Sequence, residues 1–376
     1  MTVAGLIFAN IHDNTIPELT RTRRMASVPF GGRYRLIDFM LSNMVNSGIT
    51  KVGVIANNNY ESLLDHLGTG KDWDLARRSG GIKILPPRIT SFDGHSTGIS
   101  SSRLEAILGA ANFIHRCKED YLVMADCDVI CNIDLTPVIE AHAKSGADIT
   151  FITKTADLTG VTSAEKIVVI DSDKDGKVTD FSEKKTFGGV TRFYTNIMIV
   201  TRSYLTSIIE NSVAHGYTRF LHDILSRSIG QADYRIYEYD GFYANINSME
   251  TYFSCSMQLL DTGVREGLFG DKNHPVLTKV RNSAPTRYCE GAKVTNSVIA
   301  DGCMIEGRVE NSILFRGVHV GKDAVVKNAI LLQDTYVCPG ATLNCVITDK
   351  NVMVKNGRNL SGHESMPFFI GKSITV

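Results

Sequence analysis

The sequence predicts an α/β domain with a mostly parallel mixed sheet, followed by a smaller domain built as a parallel β-helix. Two observations lead to this prediction. Short apolar runs alternate with helical stretches over the first two-thirds of the chain, which is typical of βαβ units. From about Thr286 onward, aliphatic residues recur every six residues between Gly, Asn and Asp, which is typical of stacked β-helical coils.

The elements of the first domain are predicted from apolar periodicity and from helix stop signals. Two predicted helices end before a glycine, Gly48 and Gly146. Parallel sheets bind ligands beyond the carboxyl ends of their strands, so chemistry is expected just after Ala9 and Ala125. The predicted strands are 3–9, 51–56, 121–125 and 148–153, and the predicted helices are 35–47, 104–114 and 137–145.

The second domain is predicted from two interleaved series with the same six-residue period, which would stack aliphatic corners on one another. A β-sandwich with chance spacing is the alternative. We therefore divide the chain into a first domain (1–247), a connecting segment (248–285) with a helix at 248–261 and a linker from 263, and a β-helix (286–376). The two series are Leu314, Val320, Val326, Leu332 and Cys338, and Val318, Ala324, Ile330, Tyr336 and Thr342.

Composition excludes several classes of function. The 376 residues exceed one core of ordinary size, and 40 basic residues balance 40 acidic ones, which argues against a nucleic-acid or acidic-membrane binder. Small anionic ligands remain open. The eight cysteines form no C-x-x-C pair, and Cys127 and Cys131 are expected to pack rather than bind zinc or react. Neither a signal peptide nor a membrane span of roughly 20 apolar residues is recognised, so a cytoplasmic protein is expected.

Three segments carry a family resemblance: FGGRYRLIDFMLSN at 30–43, LGTGKDWDLARRSGGIKILPP at 67–87, and NSVIADGCMIEGRVENSILFRGVHVG in the repeats. They resemble the sugar-nucleotide pyrophosphorylases, specifically the glucose-1-phosphate adenylyltransferase (ADP-glucose pyrophosphorylase) family, over nearly the whole chain. The resemblance implies a Rossmann-like nucleotidyltransferase domain followed by a left-handed parallel β-helix. It also implies a reaction, in which ATP and glucose 1-phosphate give ADP-glucose and pyrophosphate with Mg²⁺.

The loop that binds the triphosphate in active relatives departs from the family pattern. Relatives carry a GG-x-G-x-R loop, whose glycines let backbone N–H groups approach phosphate. Here the leading glycine positions hold Asn10 and Ile11, the third holds Asp13, and the arginine position holds Thr15. The relatives' Lys-Pro pair falls on Met25 and Ala26. We expect Asp13 to place a negative charge against a triphosphate, so that this loop is a structural turn.

The expected metal site is also incomplete. DCDVICNID resembles the family's S-G-D-H segment, which implies that Asp128 is the metal-binding aspartate. The second aspartate of relatives corresponds to Asn245, whose amide supplies no charge to Mg²⁺. A site with Asp128 alone would hold the ion weakly, and Asp128 has the alternative of acting as a capping residue.

The sugar-phosphate segment is the part that resembles active relatives most. FSEKK resembles F-x-E-K-P, which implies that Glu183 contacts glucose hydroxyls and that Lys184 contacts the sugar phosphate. The alternative is a solvated surface loop. Two neighbouring segments depart from the pattern: the relatives' S-M-G segment corresponds to 194–197, and their G-T-A-D-A segment to 102–106.

The losses are confined to catalytic positions, whereas the scaffold segments are retained. This pattern resembles the non-catalytic, GlgD-type regulatory subunit of the family, which implies a catalytic glucose-1-phosphate adenylyltransferase partner and a heterotetramer. Beside the altered loop, Arg21, Arg23 and Arg24 form a basic cluster, in a region where relatives bind phosphorylated effectors. An exposed charged face is the alternative for these arginines.

Three other functions are compatible with the sequence. The chain is an active adenylyltransferase if its atypical loop still binds ATP. It is a sugar-phosphate-sensing scaffold if it binds ligand without assembling with a catalytic subunit. A hexapeptide acyltransferase would need a catalytic histidine in the repeats, for which His319 is the candidate.

Overall fold

The computed structural model describes residues 1–9, 11–56, 59–86 and 102–376. Within these residues the first domain is built on a nine-stranded mixed sheet flanked by helices, as predicted. Its strands are Val3–Phe8 (β1), Pro29–Phe30 (β2), Tyr34–Arg35 (β3), Lys51–Ile55 (β4), Gly81–Leu85 (β5), Tyr121–Asp126 (β6), Val129–Ile130 (β7), Ile149–Asp157 (β8), Thr162–Ser172 (β9), Val178–Thr186 (β10), Val190–Thr201 (β11), Tyr234–Glu238 (β12) and Ala244–Asn245 (β13).

The helices lie between these strands and after them. They are Pro17–Thr20 (α1), Leu36–Asn46 (α2), Glu61–Leu67 (α3), Arg103–Gly109 (α4), Ala111–His115 (α5), Thr136–Ser145 (α6), Arg202–His215 (α7), Met249–Gln258 (α8) and Thr262–Phe269 (α9), with short 3-10 or π turns at Met25–Ser27, Lys71–Trp73, Phe220–Leu225 and Ser226–Ser228. Among these described helices, we find none that combines the length and apolar character needed to cross a membrane.

The centre of the sheet brings two strand ends together. The order β10-β9-β11-β6-β1-β4-β5 places β1 between two parallel neighbours, and β8 joins β11 to β12. Phe8 at the end of β1 pairs with Asp126 at the end of β6 and with Ile55 of β4. The two segments expected to carry chemistry are therefore adjacent.

Local signals explain most helix boundaries. In α2, Asp38 accepts the N–H of Arg35 at 2.9 Å, and the helix ends before Gly48, whose φ is +78°. The predicted helix 104–114 is divided at Ala110 into α4 and α5, and a reciprocal cap between Ser102 and Glu105 begins α4.

The connecting segment is more ordered than the sequence predicted. Helix α8 lies inside the predicted 248–261 helix. We predicted a linker from residue 263 onward, but the first part of that segment belongs to helix α9, which ends at Phe269. The prediction is wrong there. The reason is a cap, because the side chain of Asp261 accepts the N–H of Val264 at 3.1 Å.

The second domain is the predicted parallel β-helix. Three parallel five-stranded sheets stack along it, and every third strand belongs to the same sheet. Its strands are Arg287–Tyr288 (β14), Lys293–Thr295 (β15), Val298–Ile299 (β16), Met304–Ile305 (β17), Arg308–Glu310 (β18), Ile313–Leu314 (β19), His319–Val320 (β20), Val325–Lys327 (β21), Ile330–Leu331 (β22), Tyr336–Val337 (β23), Thr342–Asn344 (β24), Val346–Thr348 (β25), Met353–Val354 (β26), Asn359–Ser361 (β27) and Phe368–Ile370 (β28).

The coil length differs from the six-residue rule. Val320 pairs with Val337, 17 residues later, which is one residue short of three six-residue repeats. Residues spaced six apart therefore no longer point into the core one coil later, because the inward-facing position has shifted by one residue. Tyr336, a member of the predicted series, is 37% exposed, whereas the neighbouring Val337 is fully buried.

The two domains pack tightly against each other. Arg23 donates to both carboxylate oxygens of Asp349 at 2.8 and 3.0 Å, and both side chains are buried. The turn that joins β2 to β3 needs glycine, because Gly32 has φ +83° and lies against Val298 of the β-helix. The FGG motif therefore serves the domain interface.

Candidate functional site

A cavity of about 1030 Å³ opens where β1 and β6 end. The loop after β1, the start of α4, strands β9 to β11 and helix α8 contribute to its lining. Its volume lies at the upper end of the range for small-molecule clefts. This is the edge of the sheet where the sequence analysis expected chemistry.

His12 occupies the loop after β1 and connects two sides of the cavity. Its φ of +66° is left-handed, a region that histidine enters more readily than most residues. Its Nδ1 lies 2.7 Å from Glu165 on β9, and its Nε2 lies 3.4 Å from Asp126. Burial alone would lower the pKa of His12, but the nearby carboxylates, Asp128 foremost, hold that pKa well above its ordinary value. The neighbouring carboxylates therefore favour the imidazolium form of His12.

Arg103 lies on the other side of Asp126. Its guanidinium donates to Asp126 at 2.5 Å and to the hydroxyl of Tyr194 at 3.3 Å, and it lies over the rings of Tyr194 and Phe8. Burial acts to raise the pKa of Asp126, but Arg103 and His12 outweigh burial and hold this pKa below its ordinary value. Asp126 is therefore an ionised carboxylate between two cations.

The predicted metal residues lie side by side. Strand β13 pairs with β7, which places Asn245 opposite Val129, next to Asp128. Asp128 is fully buried, and no described donor meets its carboxylate oxygens with good hydrogen-bond geometry, although the neighbouring side chain of Asn245 is close enough to lower the pKa of Asp128. Burial first, and then the charge of Asp126, raise the pKa of Asp128 to about 6, although His12 acts in the opposite direction.

These residues fit a divalent cation poorly. An unpartnered buried carboxylate would accept a cation, but Asn245 adds no charge, and the His12 imidazolium already balances Asp128 electrostatically. Within the described ranges, His, Cys, Asp and Glu side chains do not gather in groups of three or more that could hold a metal ion. Asp128 and Asn245 therefore do not make up a Mg²⁺ site in this chain.

Asp13 has a structural role. Its carboxylate accepts from Arg24 at 2.9 Å and from the N–H of Met25 at 2.8 Å, and it does not line the cavity. The expectation that this charge opposes a triphosphate is therefore not supported, because Arg24 neutralises it. Thr15 donates to the carbonyl of His12 at 2.8 Å, whereas Ile11 lines the cavity. Asn10 lies outside the described residues.

The two predicted sugar-phosphate residues have different surroundings. Glu183 lines the cavity and pairs with Lys166 at 2.9 Å and with His222 at 3.6 Å. Lys184, the next residue on β10, is exposed and does not line the cavity. Successive side chains of a strand point to opposite faces, which accounts for the separation. Their assignment to glucose 1-phosphate stays a prediction.

The three predicted effector arginines do not converge. Arg23 is buried against Asp349, Arg24 binds Asp13, and Arg21 is exposed. Lys350 is partly buried beside Asp349, and the cations that act on its charge are Arg35, Arg23 and Arg281. Burial first, and then Arg35, Arg23 and Arg281, lower the pKa of Lys350 to about 7. Of these cations, Arg23 is paired with Asp349 and Arg281 with Asp65, and Arg23 is the one member that was also among the predicted arginines.

Cys127 and Cys131 are both buried in the core, as expected of packing residues. Burial raises the pKa of Cys131 to about 12, so this thiol stays protonated and unreactive.

Sequence reasoning missed His12, Glu165 and Arg103. A histidine in the loop after β1 and two acids at the end of β6 were visible, but their partner Glu165 is 153 residues away from His12. Only the folded chain brings them together.

Comparisons with known proteins agree with this architecture. The family described as Nucleotidyl transferase matches residues 16–233, and the family described as GlmU-like, C-terminal hexapeptide matches residues 283–365. The chain is 31% identical to glycogen biosynthesis protein GlgD of Bacillus subtilis over 370 residues, covering 98% of this chain and 96% of that protein. It is 36% identical to GlgD of Geobacillus stearothermophilus, covering 86% and 82%. It is 29% identical to glucose-1-phosphate adenylyltransferase of Clostridium perfringens strain SM101, covering 89% and 85%.

Proposed function

Because the chain belongs to the GlgD and glucose-1-phosphate adenylyltransferase family of nucleotidyl transferases, we propose that it acts in glycogen biosynthesis as a regulatory subunit with a degenerate catalytic site. The observation that carries this proposal is the ion-pair network of His12, Asp126, Arg103 and Glu165 at the ends of β1 and β6. The proposed partner is a catalytic glucose-1-phosphate adenylyltransferase subunit in a heterotetramer.

The charges in this network argue against catalysis by this chain, because its cations are already paired. Adenylyl transfer depends on cations that stabilise the phosphates, supplied by protein side chains and by Mg²⁺ in this family. Here the two cations nearest the strand ends, His12 and Arg103, are each within ion-pair distance of Asp126. A triphosphate would have to displace Asp126 from both of them, and the buried carboxylate would then lose its partners. We propose that ATP binding is therefore weak.

Regulation of a partner needs only a modest coupling energy. Typical allosteric coupling is about 1–3 kcal/mol, which changes an affinity several-fold or more. The cluster of Lys350, Arg23, Arg35 and Arg281 is the proposed entry point for an anionic effector, because it lies between the two domains and its arginines lower the pKa of Lys350.

Specific residues bear on the three alternative functions. An active adenylyltransferase requires His12 and Arg103 to release Asp126 when nucleotide binds. A sugar-phosphate-sensing scaffold is favoured by Glu183, which lines the cavity, but not by Lys184, which does not. An acyltransferase role for His319 has little support, because its ring packs edge-on against Tyr336 at 4.3 Å.

The test is a titration into the catalytic subunit from the same organism. We expect ADP-glucose formation by that subunit, or its response to phosphorylated effectors, to change and then saturate as this chain is added. A partner rate and effector response that stay unchanged at a large excess of this chain would contradict the regulatory proposal.

A further inference from the structure

His12 interacts with three carboxylates where β1 and β6 end. Its Nε2 lies 3.4 Å from Asp126, and its Nδ1 lies 2.7 Å from Glu165 on β9. Asp128 is the third, because burial raises the pKa of Asp128 to about 6 and the charge of His12 acts against that rise. Ionised carboxylates only accept hydrogen bonds, so a ring that faces one at each nitrogen is best satisfied with a proton on both. His12 therefore supplies a positive charge to this group.

Asn245 stands at the position that the family resemblance assigns to a second aspartate. Its strand pairs with β7, which places it opposite Val129 and next to Asp128. The Nδ2 atom of Asn245 is buried, and no described acceptor meets it with good hydrogen-bond geometry. An amide can donate an N–H to the neighbouring carboxylate, whereas a second aspartate would add a negative charge. Asn245 therefore reduces the need of Asp128 for a cation.

The charges around the two buried aspartates balance without a metal ion. Asp126 and Asp128 are each at most 1% exposed. Both carboxylates interact electrostatically with His12 and with Arg103. Two carboxylates therefore face two cations that belong to the chain itself. A divalent cation would add two positive charges beside these, and burial strengthens the repulsion between like charges.

We propose that His12 and Asn245 together take the place of the divalent cation that the family resemblance implies at this site. His12 supplies the positive charge, and Asn245 supplies a hydrogen-bond donor for Asp128. The inference rests on the proposed degenerate catalytic site and specifies how that site differs from an active one. Two of the chain's own residues close the site to a metal ion, so restoring the second aspartate alone does not reopen it.

The test is binding of Mn²⁺ to the full chain, measured from the loss of the electron paramagnetic resonance signal of free Mn²⁺. Mn²⁺ binds the same oxygen ligands as Mg²⁺. Asn245→Asp restores the second carboxylate, and His12→Asn removes the cation with a residue that also tolerates the left-handed φ of +66°. We expect no saturable binding by the wild type and weak binding by Asn245→Asp. The double variant should bind at least about tenfold more tightly than Asn245→Asp, because the repulsion from His12 is gone.

His222→Asn combined with Asn245→Asp is the matched control. His222 lines the same cavity, but its Nε2 lies 3.6 Å from Glu183. This control should bind Mn²⁺ no more tightly than Asn245→Asp alone. If circular dichroism shows that His12→Asn prevents folding, His12→Gly replaces it, because glycine also accepts the left-handed backbone.

Three results would overturn the proposal: saturable Mn²⁺ binding by the wild type, equal affinities of Asn245→Asp and the His12→Asn double variant, or an equal gain in the His222→Asn control. The first of these needs no substitution, so the wild type tests the proposal even without the variants. The proposed regulatory function is read separately, from the partner's rate in the titration described above. Mn²⁺ binding by a wild-type chain that still changes the partner's rate would contradict only the inference about His12 and Asn245.

Discussion

The guanidinium of Arg103 lies 2.5 Å from a carboxylate oxygen of Asp126, at the point where β6 ends beside β1. In catalytic relatives, the corresponding part of the sheet is where the resemblance implies nucleotide binding. The chain therefore places an internal ion pair at the edge where an active enzyme would need cations for its substrate.

Removing Arg103 should destabilise the protein strongly. In Arg103→Thr, Asp126 keeps a buried charge without its closest partner, so we expect the free energy of unfolding to fall by about 3–5 kcal/mol. Urea denaturation measures the change. The exposed pair Arg77–Asp74 supplies the control, because Arg77→Thr should cost roughly 1 kcal/mol or less. Arg103→Thr with Asp126→Ser should recover much of the loss, and equal losses in the single and double variants would contradict this account.

The domain interface should depend on the pair of Arg23 and Asp349. Asp349→Ala leaves Arg23 buried and unpaired, and we expect a loss of about 3 kcal/mol or more in the free energy of unfolding. Thermal denaturation of the variant should show a clearly lower midpoint. Glu310→Ala, which removes a partly exposed partner of Arg308 and Lys327, is the control and should change the midpoint little. Similar midpoints for the two variants would argue against a structural role for the interdomain pair.

Lys350 should make stability depend on pH. Burial and the neighbouring arginines lower its pKa from 10.5 to about 7, so the unfolded chain binds more protons than the folded chain between these values. The free energy of unfolding should therefore rise with pH above about 7, by at most about 1.4 kcal/mol per pH unit from this group. Comparison of wild type with Lys350→Met from pH 6 to 9 isolates the contribution.

Sulfate provides a second readout of the same cluster. An anion bound there favours the charged form of Lys350, so sulfate should stabilise the wild type more than Lys350→Met at pH 6 to 7. Parallel pH profiles and equal sulfate effects for the two proteins would show that Lys350 neither titrates as described nor contributes to an anion site.

The coil length of the β-helix predicts which of two adjacent residues carries packing energy. Val337→Ala opens space in a fully buried position, and we expect a loss of about 2 kcal/mol in the free energy of unfolding. Tyr336→Ala removes a larger but partly exposed side chain and should cost less. Urea denaturation of both variants decides the point, and a larger cost at Tyr336 would mean that the six-residue series, rather than the 17-residue coil, describes the core.

Much of the fold was predictable because its signals are local. The strand ending at Phe8 and the helix ending before Gly48 follow from apolar periodicity and a glycine stop. The six-residue series identified the β-helix but not the lengths of its coils, which are 15 residues from Met304 to His319 and 17 residues from Val320 to Val337. Helix α9 was missed because a single cap, Asp261, begins it inside a polar stretch.

Only those residues of the site that the family resemblance covers were predictable from the sequence. Asp128 and Asn245 were matched to one metal site by resemblance, and the pairing of β13 with β7 brings them together. The partners of Arg103 and Arg23 were not predictable, because Asp349 is 326 residues from Arg23 and nothing in the neighbouring sequence indicates which of many carboxylates an arginine will meet. The same holds for the pairing of His12 with Glu165.

The most direct test of the central claim is ADP-glucose formation by the purified chain alone, with ATP, glucose 1-phosphate and Mg²⁺, beside the catalytic subunit under the same conditions. With His12 and Arg103 held by Asp126, we predict a rate for this chain at least about a thousandfold below that of the partner, a loss of at least about 4 kcal/mol in transition-state stabilisation. A rate comparable to the partner's would contradict the account, because the loop after β1 would then have to bind ATP despite this network.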